Sequence, residues 1–127
     1  MKTLVSLLKE LIDIEHFSAK QLSVLVPHSR DIDIVKRYKY DEKSSIESLK
    51  VHVSSVYKYK GLENDIVIVV IPNWDTLIAE YTLQPLSLAY VGFSRAKTKL
   101  YVIGDKKIQK EINWNSLFSI SWRSITQ

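Results

Sequence analysis

Residues 65–71 read DIVIVVI and set six β-branched residues, Ile66 to Ile71, in unbroken succession. A strand with one face in water alternates apolar with polar side chains. A strand that is apolar at every position needs cover on both faces. Parallel sheets supply that environment, because their crossover connections place helices over the sheet. The run therefore predicts the central strand of an α/β protein.

The flanking segments supply its companions. Leu4, Leu7, Leu8, Leu11 and Ile12 recur at helical spacing with Lys2, Lys9, Glu10 and Asp13 off that stripe, so residues 3–15 are predicted to form an amphipathic helix. QLSVLVP (21–27) is a short apolar run closed by a proline, which cannot donate to a ladder, and predicts the first strand. DIDIVKRY (31–38) predicts a short helix, YDEKSSIES (40–48) a polar loop, and LKVHVSSV (49–56) the second strand. Helical character returns from about Asp75 through PLSLAYVGFSRA (85–96), with Pro85 as a first-turn residue or a break. TKLYVIG (98–104) predicts the fourth strand, stopped by Gly104. Trp114, Phe118 and Trp122 fall four residues apart and predict a terminal helix laid on the sheet. Strands separated by helical segments argue for an α/β three-layer sandwich with a mainly parallel sheet and right-handed crossovers.

At 127 residues the chain has the size of one domain, expected here as a core over 1–104 with an extension over 105–127. The absence of cysteine excludes disulfides and thiolate metal sites and is compatible with the cytoplasmic location expected here. The longest apolar run, Ile66 to Pro72, is far too short to cross a bilayer. Glu10 and the lack of a small-residue cleavage site argue against a signal peptide. Eighteen Lys and Arg against fourteen Asp and Glu leave a net charge of +4, which suits a polyanionic partner without requiring one.

Several chemistries fall away. With only Gly61, Gly92 and Gly104 available, neither GxxxxGK[ST] nor GxGxxG can be written, so this sequence cannot wrap a nucleotide's phosphates in backbone amides. His16, His28 and His52 lack metal-binding spacing, and no metal site is expected. No GxSxG elbow exists, and Ser54, Ser55 and Ser94 have no histidine and acid at readable spacing.

Two stretches remain. In SSVYKYKGLENDIVIVV (54–70), two lysines interleave with two tyrosines just past a strand. Phosphate charge and stacking faces together suit single-stranded nucleic acid, although an exposed basic turn has the same composition. The carboxyl ends of strands are also where open α/β sheets bind ligands. In LAYVGFSRAKTKLYVIG (88–104), Arg95 stands between two apolar runs, with Gly92 a turn before it allowing close approach. Either the cation answers the negative pole of a helix end, or its planar fork is held for a phosphate.

Together these stretches resemble the C-terminal motor domain of UvrD/Rep-type superfamily 1 helicases, including its shorter UvrD-like C-terminal variant. Ser55, Val56, Tyr57, Lys58, Tyr59, Lys60, Gly61, Leu62 and Glu63 are similar to that family's motif V, T-x-H-x-x-K-G-L-E followed by an apolar strand. Tyr90, Val91, Gly92, Phe93, Ser94, Arg95 and Ala96 are similar to motif VI, Y-V-A-x-T-R-A. The resemblance runs from the first helix to Gly104. Tyr57 replaces the usual histidine, Ser94 replaces threonine, and Pro27 stands where larger members carry a further phosphate-contacting arginine.

The resemblance implies a RecA-like P-loop NTPase fold that lacks its own P-loop. ATP would lie between two RecA-like domains, with Mg2+ held by the other one. Arg95 is then implied as the catalytic finger toward the γ-phosphate, Gly61 and Glu63 as nucleotide-site residues, and Ser55, Tyr57, Lys58 and Lys60 as contacts to single-stranded or unwinding duplex DNA. The expected partners are DNA and the N-terminal RecA-like domain of a longer parent, or of an ancestor if the chain is a remnant. The parent is expected to be an ATP-dependent DNA helicase and the isolated chain inactive. The alternative is a non-catalytic module that keeps the fold and binds nucleic acid or protein.

Overall fold

Two helical turns of α1 (Lys2–Lys9) carry Leu4, Leu7 and Leu8 into the interior, in a computed structural model that describes residues 2–55, 63–71, 91, 94–104 and 120–124. The helix then widens into a π turn over Glu10–Ile14, with the Glu15 N–H donating to the Glu10 carbonyl at 3.0 Å. Leu11 stays buried while Ile14 turns out to solvent. His16, in the left-handed region at φ 64°, ends the helix, and the Phe17 N–H returns to the Leu11 carbonyl.

Five strands follow: β1 (Leu22–Val26), β2 (His52–Ser55), β3 (Asn64–Val70), β4 (Ala96–Gly104) and β5 (Ile120–Ser124). They form one sheet in the order β2-β1-β3-β4-β5, and every pairing is parallel. The chain therefore has the α/β architecture with a parallel sheet that the sequence predicts. The DIVIVVI run is the middle strand, and Ile66 to Ile71 are each 1% exposed or less. Between β1 and β2 lie α2 (Arg30–Lys36) and a short 3-10 turn, Glu47–Leu49, closed by Lys50 in the left-handed region at φ 70°.

Alternation along the strands separates two apolar layers. One layer joins Leu22, Val24, Val26, Ile66, Ile68, Val70, Tyr101 and Ile103 to the α1 leucines, Val35, Tyr40, Ile46 and Val53. On the other face Leu25, Val67, Val69, Leu100 and Val102 are buried as well. Burial on both faces is what the β-branched composition of β3 demanded.

The carboxyl-terminal segment corrects one expectation. Residues 120–124 are not helical; they pair with β4 from Leu100↔Ile120 to Gly104↔Ser124 as a fifth strand. A spacing of four is a multiple of two as well as close to one helical turn, so the aromatic pattern did not discriminate between the two periods. The open side of β4 offered a ladder to any neighbouring segment able to extend. Trp114 and Phe118 lie outside the described residues, as do the helix expected from Asp75 and Pro85. Among the described residues no helix is long and apolar enough to cross a membrane.

Candidate functional site

The described residues among those singled out from the sequence, Ser55, Glu63 and Arg95, divide between opposite edges of the sheet. Arg95 is the last helical residue before β4, and Glu63, exposed, immediately precedes β3. Asn64 and Ala96 are ladder partners, so Glu63 and Arg95 enter adjacent strands side by side, roughly 5 Å between backbones. Both therefore sit at the amino edge of the sheet.

Local geometry sets Arg95 apart. Asn64 pairs with Ala96 but Ile66 pairs with Lys99, so β4 spends one more residue than β3 over this step. Such a bulge twists a strand and re-aims the side chains beside it, and bulges concentrate next to functional sites. Val91, Ser94 and Arg95 are helical, and the Ser94 hydroxyl donates back to the Val91 carbonyl at 2.9 Å, tying down the turn that delivers the arginine. The Arg95 side chain is half-buried, yet its Nε is fully buried with no hydrogen-bond partner among the described residues. Leaving such a donor unpaired costs about 1–3 kcal/mol, more for a charged group, so an anionic acceptor brought to this edge would recover stability.

A polar clamp fixes the strand beside it. The Asn64 side-chain amide donates to the Lys20 carbonyl at 3.0 Å and to Ser23 Oγ at 2.9 Å, while its Oδ1 accepts from the Asp65 N–H at 2.8 Å. Gln21 Nε2 donates to Asp65 Oδ2 at 2.9 Å, and Gln21 Oε1 accepts the Ser18 N–H at 2.9 Å. These bonds lash the amino end of β3 to the entry of β1, and so hold the position from which Glu63 emerges. The sequence reading passed over Asn64, Asp65 and Gln21. The available signal was the polar pair Asn64-Asp65 set directly before an all-apolar strand.

Of the other group, Ser55 lies at the carboxyl edge. Ser55 ends β2 and is 1% exposed, and the Ser54 hydroxyl donates to its carbonyl at 3.1 Å. Tyr57, Lys58, Lys60 and Gly61 lie outside the described residues. Pro27 follows β1 at this same edge and is buried. In ladder register it is level with Ile71, seven residues beyond Asn64, which is roughly 23 Å along the strands from the Arg95 edge. Pro27 and Arg95 therefore do not converge on one phosphate. Among the described residues no three His, Asp or Glu side chains gather as a metal site.

Residues 50–103 match the family model of the UvrD-like helicase C-terminal domain. That segment is similar to the UvrD-like helicases, over somewhat less than half of the chain. It runs from Lys50, just ahead of β2, to Ile103 in β4, and so contains both edge groups, from Ser55 to Glu63 and Arg95. The first helix, β1 and α2 lie outside the match and join the UvrD-like segment through the sheet and its core. The match likens this segment to part of a helicase motor domain, and the all-parallel α/β sheet agrees with a RecA-like fold. No curated protein matches the chain.

Proposed function

We propose that the chain acts as the second RecA-like motor domain of an ATP-dependent DNA helicase, completing an ATP site whose phosphate loop and Mg2+ ligands belong to a partner motor domain. The observation that carries this reading is the buried, unpartnered Arg95 Nε beside Glu63 at the amino edge of the sheet, inside the UvrD-like segment. A domain that binds nucleotide by itself uses the carboxyl edge and a glycine-rich loop. An arginine held at the opposite edge, in a sequence with no such loop, suits a site shared with another domain.

The fit to a nucleotide is partial in the way a shared site requires. Arg95 offers a planar, permanently charged fork to phosphate oxygens. Glu63 offers acceptors to a ribose hydroxyl, and Gly61, two residues before it in the sequence, is assigned to the same nucleotide site. Hydrolysis of ATP supplies the energy for strand movement. The part of Arg95 is to stabilise negative charge on the transferred phosphoryl group, an effect worth about 10³–10⁵ in rate for arginines of this kind. Ser55 ends β2, and with Tyr57, Lys58 and Lys60, which come after it in the sequence, it is assigned to single-stranded DNA. The Ser94 back-bond and the bulge at the start of β4 serve to aim Arg95.

The first test is purification of the chain alone. It is expected to show no ATPase above background, and robust turnover without a partner domain would overturn the proposal.

A further inference from the structure

We infer that the outer face of α1 and the Tyr38-Lys39 segment form an anion site for a run of phosphate groups, separate from both sheet edges. A cavity of about 310 Å³ opens there, lined by Lys2, Val5, Ser6, Lys9, Tyr38 and Lys39. Lys2, Ser6 and Lys9 are the exposed stripe of α1, opposite the leucines that face the core. Lys39 reaches the same cavity from the loop after α2, and among the described lining residues none is acidic. Three cations brought together without an acid among them repel one another unless an anion sits between them.

The neighbouring carboxylates keep their charge but do not line the cavity, and two of them accept local hydrogen bonds. Asp41 Oδ1 accepts from the Lys43 N–H, the Ser44 N–H and the Ser44 hydroxyl, each at 2.8 Å, and those bonds hold its pKa down more than the charge of Lys9 does. Asp13 accepts the Tyr40 hydroxyl at 3.2 Å. Lys9 Nζ lies 5.6 Å from the centroid of the Tyr40 ring. Burial, and after it the charge of Asp31, pushes the Tyr38 pKa up, so that hydroxyl keeps its proton at neutral pH and can donate.

Size and spacing choose the ligand class. Lys2 and Lys9 are seven residues apart on one helix, about 10 Å along its axis, so their cations can be spread over a ligand longer than one phosphate. A cavity at the lower end of ligand-pocket volumes, with cations at both ends and a third opposite, suits two or more linked phosphates. Free polyphosphate and a nucleic-acid backbone share that chemistry.

The test uses the 127-residue chain with two probes, a fluorescent oligothymidylate and inorganic tripolyphosphate, titrated between 50 and 200 mM salt. The variant is Lys2→Gln/Lys39→Gln, chosen because neither residue packs in the core, with an unchanged thermal melt as the check on folding. Loss of tripolyphosphate binding, with a fall of about 1.4 in the slope of log K against log salt for the oligonucleotide, supports the site. An effect on the oligonucleotide alone assigns it to a nucleic-acid backbone, and an effect on tripolyphosphate alone to a free polyphosphate. Unchanged binding of both probes overturns it, as does failure of the wild-type chain to bind either. The companion variant Lys58→Gln/Lys60→Gln separates this site from the proposed DNA edge. If that pair alone changes the binding of both probes, the α1 site falls and the helicase reading stands.

Discussion

Replacing Asn64 with alanine tests whether the amino edge of the sheet is held by the clamp that positions Glu63 beside Arg95. The side chain makes three hydrogen bonds, to the Lys20 carbonyl, Ser23 Oγ and the Asp65 N–H, at 3.0, 2.9 and 2.8 Å. A neutral hydrogen bond contributes about 0.5–1.5 kcal/mol net, and these are half-exposed, so the three together should be worth about 1.5–3 kcal/mol. At this chain length 1 kcal/mol corresponds to roughly 4 °C in Tm, so a loss near 2 kcal/mol lowers Tm by about 8 °C. The assay is guanidinium denaturation followed by circular dichroism, where the midpoint should move and the m-value should not. Asn64→Asp sharpens the test, since it keeps the acceptor for the Asp65 N–H but turns a carboxylate toward the Lys20 carbonyl. It should be at least as destabilising as alanine at neutral pH. Stability of both variants within about 0.5 kcal/mol of wild type would refute the clamp.

Three further outcomes follow from the packing. Ile68, fully buried at the centre of β3, should cost about 2–5 kcal/mol when changed to alanine, read by the same denaturation. Arg123 joins β5 to the π turn through a 3.1 Å bond to Glu10 and lies 5.6 Å from the Tyr101 ring centroid. Both partners of the ion pair are about two-fifths exposed, so Arg123→Ala should cost only about 0.5–1.5 kcal/mol, more than Glu10→Gln and less sensitive to salt than an ion pair alone. Tyr40 has its pKa pushed up to about 12, first by burial and then by its bond to Asp13. The folded state therefore holds this proton more tightly than the unfolded chain. The resulting stability is complete below pH 10, the ordinary tyrosine value, and is lost as pH rises toward 12. Tyr40→Phe should remove that part of the pH dependence, as followed by phenolate absorbance alongside unfolding.

What could be read from the sequence follows the physics of each signal. DIVIVVI announced a doubly covered strand because burial on both faces leaves no polar position to interrupt it, and β3 is that strand. The leucine stripe of α1 was equally legible, but the π turn at Glu10–Ile14 was not, since it depends on how the helix end meets the sheet. The helix expected around Trp122 became β5 because aromatic spacing of four fits a strand as well, and the choice was made by a strand distant in sequence. Arg95 could be picked out from its place between two apolar runs, and the K-G-L-E and S-R-A motifs pointed to the family. Its edge could not be read, because edge is a property of strand direction and register. Nor could the clamp in which Asn64 and Asp65 bond Lys20, Ser23 and Gln21, more than forty residues away along the chain.

The central claim is that Arg95 serves a nucleotide bound mostly by another domain. The most direct measurement is steady-state ATPase of the full parent enzyme carrying Arg95→Ala, with kcat and KM determined separately and the melting temperature compared. The account predicts a fall in kcat of about 10³–10⁵ with Tm unchanged or slightly raised, because an unpaired buried donor is removed along with the finger. Unchanged turnover would return Arg95 to the role of a cation closing a helix end and would contradict the account.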